Sequence, residues 1–108
     1  MVEADEAVIV LTTVGGSADA TAFARSLVAD HLAGCVNVLP VVTSVYAWKG
    51  AIEHDPEQPL VIKTTASNVP RLLERFAAVH PYEVPEFVVL RAEVSAAYGR
   101  WLREVTAP

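Results

Sequence analysis

The stretch from Cys35 to Trp48 constrains this chain more than any other. It is rich in β-branched and aromatic residues, and after a Lys49-Gly50 connection the chain returns through Ala51 to Thr65, so the pattern predicts a long two-stranded hairpin. Pro40 removes one ladder donor and predicts a bulge or bend in the outgoing arm, while Pro56 to Pro59 predict an interruption in the returning one. At about 3.3 Å per residue, an arm of about 13 or 14 residues approaches ~45 Å. A globule of about 100 residues has a radius of gyration of only ~13 Å. The hairpin must therefore overhang its own core. Its tip carries Val45, Tyr46, Trp48 and Ile52, and an apolar ribbon with free edges is tolerated in water only where another chain covers it. The expected cover is a neighbouring copy.

The remaining segments fit around that hairpin. Ala7 to Val14 is a β-rich run too short for a buried helix and is closed by Gly15-Gly16. Ser17 offers an N-cap, and Ala20, Phe23, Ala24, Leu27, Val28 and Leu32 follow helical spacing up to Gly34. Ser67 or Asn68 is the expected cap of a second helix, with Pro70 in its first turn, Val69, Leu72, Leu73 and Phe76 as its apolar stripe, and an end before Pro81. Glu86 to Val94 reads as a fourth strand, and Ala96 to Val105 as a terminal helix with Tyr98, Trp101 and Leu102 on one side. The order βαββαβ plus α, with right-handed crossovers, predicts an α+β ferredoxin-like domain over residues 1–108. Its antiparallel four-stranded sheet would carry both main helices on one face.

Composition narrows the function classes. A hydrophobic fraction of 53% is more than a 108-residue core can hide, which again points to self-association. The net charge of −5 opposes nucleic-acid binding. No apolar run approaches the roughly 20 residues of a membrane helix. Met1 to Glu6 is acidic where a signal peptide would be basic, and Cys35 is the single cysteine, so a cytoplasmic setting is expected.

The most unusual local sequence is His80-Pro-Tyr-Glu-Val-Pro-Glu86, in which two prolines pin the backbone around an imidazole, a phenol and two carboxylates. His80, Glu83 and Glu86, with the Cys35 thiol, are a donor set suited to a borderline divalent metal ion such as copper or zinc. Equally, the prolines could serve only to steer the chain into the last strand. Lys63 within an apolar strand needs solvent, a carboxylate or an anionic ligand; Tyr46 and Trp48 could stack on a flat ligand or pack on a partner subunit. Glu53, Asp55 and Glu57 read as a solvated acidic loop, and His31 as an imidazole at the negative end of the first helix. No nucleophile–base spacing, phosphate-binding loop or H-E-x-x-H helix is present, so no enzyme is expected.

Four stretches, Ala33-Gly-Cys-Val-Asn37, Thr43-Ser-Val-Tyr-Ala-Trp48 with Gly50 and Glu53, Ile62-Lys-Thr-Thr65 and the His80 loop, closely resemble the CutA divalent-cation tolerance family from Val8 to Leu102. The resemblance implies a PII-like homotrimer in which the hairpins extend one another's sheets, divalent-metal binding with copper as the usual ion, and a role in metal tolerance. Some relatives carry a cysteine at the position of Thr12 and a second histidine at that of Val79, so His80 is what remains here of that copper-site pattern. Two other readings stay open: a sensor holding an anionic small molecule in an inter-subunit cleft through Lys63, Tyr46, Trp48 and the His80 loop, and a structural or scaffold trimer whose interface residues only pack; another protein stays open as a further partner.

Overall fold

The computed structural model describes residues 6–79 and 83–108. Its strands are β1 (Ala7–Gly15), β2 (Cys35–Val38), β3 (Val42–Trp48), β4 (Ala51–Thr65) and β5 (Val88–Arg91), and its helices α1 (Ala20–Ala29), α2 (Val69–Val79) and α3 (Ala96–Val105). A 3-10 turn, Ala66–Asn68, leads into α2. β4 is the spine of an antiparallel sheet: Cys35 of β2 stands opposite Lys63, Trp48 of β3 opposite Ala51, and Val10 of β1 opposite Ile62. β5 pairs with the other edge of β1, Ile9 opposite Leu90. Because β2 and β3 occupy successive lengths of one β4 edge, the sheet has the order β2/β3, β4, β1, β5. With two helical crossovers this is the ferredoxin-like arrangement.

Strand alternation decides where the core lies. Val8, Val10, Thr12 and Val14 of β1 and Leu60, Ile62 and Thr64 of β4 are buried, and they meet Leu27 of α1 and Leu72 and Phe76 of α2. Phe76 sits edge-on between Phe23 and Phe87, with centroids 5.2 and 5.5 Å away. On the other sheet face Ile9, Leu11 and Val61 are half-buried and Val88 and Leu90 exposed. Among the described residues, no helix is long and apolar enough to cross a membrane.

The bend expected at Pro40 is present as the gap that separates β2 from β3. The interruption expected at Pro56 to Pro59 is absent, since β4 runs unbroken for 15 residues. In an antiparallel ladder a residue's N–H and C=O point to the same edge. Pro56 accepts from the Gly16 N–H at 3.0 Å, just past the end of β1, and Pro59 accepts from Leu39 at 3.0 Å, beside the β2–β3 gap. Each missing donor therefore faces a place where the ladder has already ended.

Helix ends also differ from expectation. Asp19, not Ser17, caps α1 by accepting from the Ala22 N–H at 3.0 Å. The helix stops at Ala29 rather than near Gly34, because His31 adopts φ 61° and the Leu32 and His31 amides bond back to the Leu27 and Val28 carbonyls. This is a Schellman ending with Leu32 packed beside Leu27. Val28 and Leu73, expected in apolar stripes, are exposed, and β5 is shorter than Glu86 to Val94. The Glu86 carbonyl accepts the Thr12 hydroxyl instead of a ladder N–H. α3 forms as expected, capped by Ser95, and crosses Gly34 so closely that a Cβ there would meet Leu102 Cδ1 at 2.6 Å.

Candidate functional site: a cleft under the hairpin

The hairpin turns through Lys49 (φ 49°) and Gly50 (φ 82°), two left-handed residues in a row as a type I′ turn requires. Ser44, Tyr46 and Trp48 share one ribbon face with Glu53, Asp55 and Glu57; Ser44 stands opposite Asp55 and Tyr46 opposite Glu53, while Trp48 pairs with Ala51 and Glu57 with Val42. Ser44, Tyr46, Trp48 and Glu57 of that face, with Thr13 and Val45, form one wall of an open cleft of about 690 Å³, and Glu83, Val84, Pro85 and Glu86 form the other. Glu57 lies at its base, 8% exposed, accepting the Thr13 hydroxyl at 2.9 Å. Lys49 bridges the walls at the tip, its Nζ 3.7 Å from Glu83 and 5.4 Å from the centre of the Trp48 ring. The loop's far end is fixed where Thr12 Oγ1 donates to the Glu86 carbonyl at 2.7 Å.

The electrostatics of the cleft are acidic. The Tyr46 hydroxyl donates to the Asp55 carboxylate, and that bond, with partial shielding from water and the charges of Asp55, Glu53 and Glu57, pushes its pKa up to about 12. Among the described residues, no Lys, Arg or His lines the cleft below the tip.

Of the residues singled out from sequence, Tyr46, Trp48, Glu83 and Glu86 come together here. Cys35 and Lys63 do not: they stand opposite each other on β2 and β4, both half-buried. Lys63 is ten positions along β4 from Glu53, the partner of Tyr46, which is roughly 33 Å of strand. Near Cys35 the Tyr98 hydroxyl has its pKa raised, first by burial and then by the thiol. His80 lies outside the described residues. Among those described, no three His, Cys, Asp or Glu side chains gather closely enough to hold a metal ion.

Glu57 is the residue that sequence reasoning misplaces. The pattern puts it in a solvated loop, whereas it is a buried strand residue. The signal is legible all the same: Glu53, Asp55 and Glu57 recur at the period of two that puts them on one face of a strand. His31, expected to meet the negative end of α1, instead brings its Nδ1 within 3.1 Å of the Val105 carbonyl at the end of α3.

An antiparallel βαββαβ sheet backed by two helices, with a projecting hairpin, defines a ferredoxin-like α+β protein. The family model described as CutA1 divalent ion tolerance protein matches residues 8–105. The divalent-cation tolerance protein CutA of Thermus thermophilus is 46% identical over 99 residues, covering 91% of this chain and 96% of its own. Human protein CutA is 48% identical over 84 residues, 77% of this chain, so the match spans 47% of the human protein's length. A solved structure from Thermus thermophilus, described as a divalent cation tolerance protein (Cut A1), superposes with a TM-score of 0.88 at 45% identity, covering 94% of this chain and 99% of that one. The chain belongs to the CutA1 divalent ion tolerance family.

Proposed function

We propose that this chain acts as a non-enzymatic divalent-cation-binding protein of the cytoplasm, working as a homotrimer whose subunit is one domain across residues 1–108. The observation that carries this reading is the hairpin: Val45 is 68% and Ile52 82% exposed on a ribbon that one chain leaves uncovered, within a family named for divalent-ion tolerance. Copies that cover one another's ribbons remove that exposed apolar surface.

His80 is the proposed principal ligand of the cation; a neutral imidazole serves copper or zinc, and copper is the ion that the family resemblance implies. Glu83 and Glu86, flanking the acidic cleft beside it in sequence, supply the carboxylates; Cys35, remote from them on its own chain, can join only from a neighbouring subunit. The acidic lining favours a cation over the anion that Lys63 would attract, because Lys63 lies far from Tyr46 and Trp48 in one chain. Calorimetric titration of the metal-free protein with copper and zinc, run beside His80→Ala, tests this. Stoichiometric binding that vanishes in the variant supports the reading, and equal weak binding by both proteins contradicts it.

A further inference from the structure

The cleft is larger and less polar than a metal ion needs. Its volume of about 690 Å³ falls in the range of organic-ligand pockets, whereas an ion with six waters takes on the order of 200 Å³, at roughly 30 Å³ per water. Its ribbon wall carries the rings of Tyr46 and Trp48, whose faces attract a cation that can shed water readily. Its carboxylates are spread over its depth: Glu57 is buried at the base, and Glu83 and Glu86 stand exposed at the rim. A single point charge cannot meet both ends.

The chain itself supplies a specimen of the fitting group. The Lys49 ammonium rests over the Trp48 ring and beside the Glu83 carboxylate, although Lys49 and Glu83 are both largely in solvent. A primary ammonium on a methylene chain is thus the chemistry that the rim already accepts.

We propose that this cleft binds a linear aliphatic polyamine, with one ammonium on Glu57 at the base, the methylene chain along Tyr46 and Trp48, and a second ammonium displacing Lys49 from Glu83. Glu57 then gains a counter-charge in a site where a buried carboxylate is costly to leave uncompensated. Lys49 acts as an internal competitor. The inference goes beyond the His80 metal reading and shares only Glu83 with it, so copper calorimetry beside His80→Ala reports on one and the indole signal beside Glu57→Gln, described next, on the other.

The test uses the full chain carrying Trp101→Phe, which leaves Trp48 as the sole indole of the two in the sequence. Trp48 fluorescence is followed during titration with spermidine, and separately with magnesium chloride at matched ionic strength. The expected result is a saturable change with spermidine and none with magnesium, weakened about tenfold or more by Glu57→Gln and tightened a few-fold by Lys49→Gln. Should Glu57→Gln fail to fold, Glu83→Gln replaces it, with weakening again expected. An identical response to magnesium, no saturation with spermidine, or binding indifferent to both the carboxylate and the Lys49 substitutions overturns the proposal.

Discussion

The two halves of β4 are one continuous strand in two different environments. From Leu60 to Thr65 it is flanked by β1 and β2 and roofed by α1 and α2, so Leu60, Ile62 and Thr64 are fully buried. From Ala51 to Asp55, among the described residues, β3 is the one strand beside it, and both faces are exposed. Backbone pairing is the same in each half. What differs is what the side chains meet, and an isolated two-stranded ribbon is marginal in water. The inner half is stabilised by its own chain, and in the proposed homotrimer the outer half is covered by a second one.

Substitutions in the two halves should therefore differ in kind. Phe76→Ala, which empties the contact of α2 with Phe23 and Phe87, is expected to cost about 3–5 kcal/mol in denaturant unfolding. A loss below about 1 kcal/mol would show that the helix-backed half is not the stability core. Next in size is Gly34→Ala, whose added methyl meets Leu102 and Val105 and should cost about 1–3 kcal/mol, with faster hydrogen exchange confined to α3. Gly50→Ala keeps open space around the new methyl but imposes φ 82° on an L-residue, a penalty of about 1–2 kcal/mol. Its effect should fall on the ribbon, seen as lost assembly or altered amide shifts of β3, with the core spectrum unchanged.

The smallest expected effect is a pH dependence at the tip. Tyr46 is raised from 10.0 to about 12, so the neutral, hydrogen-bonded phenol contributes fully below about pH 10 and that contribution is lost as pH rises through 12. In ultraviolet titration one of the three tyrosines should ionise last, and Asp55→Asn should bring it down toward the ordinary value. An unchanged titration in Asp55→Asn would mean that the Asp55 bond does not hold the phenol.

Much of this contrast is legible in the sequence. Hydrophobic alternation and the Lys49-Gly50 turn give the hairpin, and the length of its arms against the size of the globule gives the overhang; the principal extent of 44 Å and radius of gyration of 14.5 Å agree. What sequence could not supply is the edge that each proline faces. Pro56 and Pro59 look like strand breakers until the ends of β1 and the β2–β3 gap are known. Likewise His31 at a helix end looks like a dipole partner, because its left-handed turn is set by the packing of Leu32 on Leu27. The cleft is half legible: Tyr46 and Trp48 stand out as aromatic neighbours, Glu83 and Glu86 as loop carboxylates, but their meeting is a tertiary contact, marked by Lys49 beside Glu83, between segments far apart in the chain. Glu57 shares the period of two of Glu53 and Asp55, but its burial depends on β1, whose Thr13 hydroxyl donates to it.

In the proposed homotrimer the outer half of β4 is held by other copies of the chain. Light scattering on the purified protein at micromolar concentration, beside Ile52→Asp, tests it most directly. Three times the chain mass is expected for the native sequence, with a shift toward one chain mass for the variant; a native protein that runs as a monomer with its hairpin amides fully ordered would rule this assembly out.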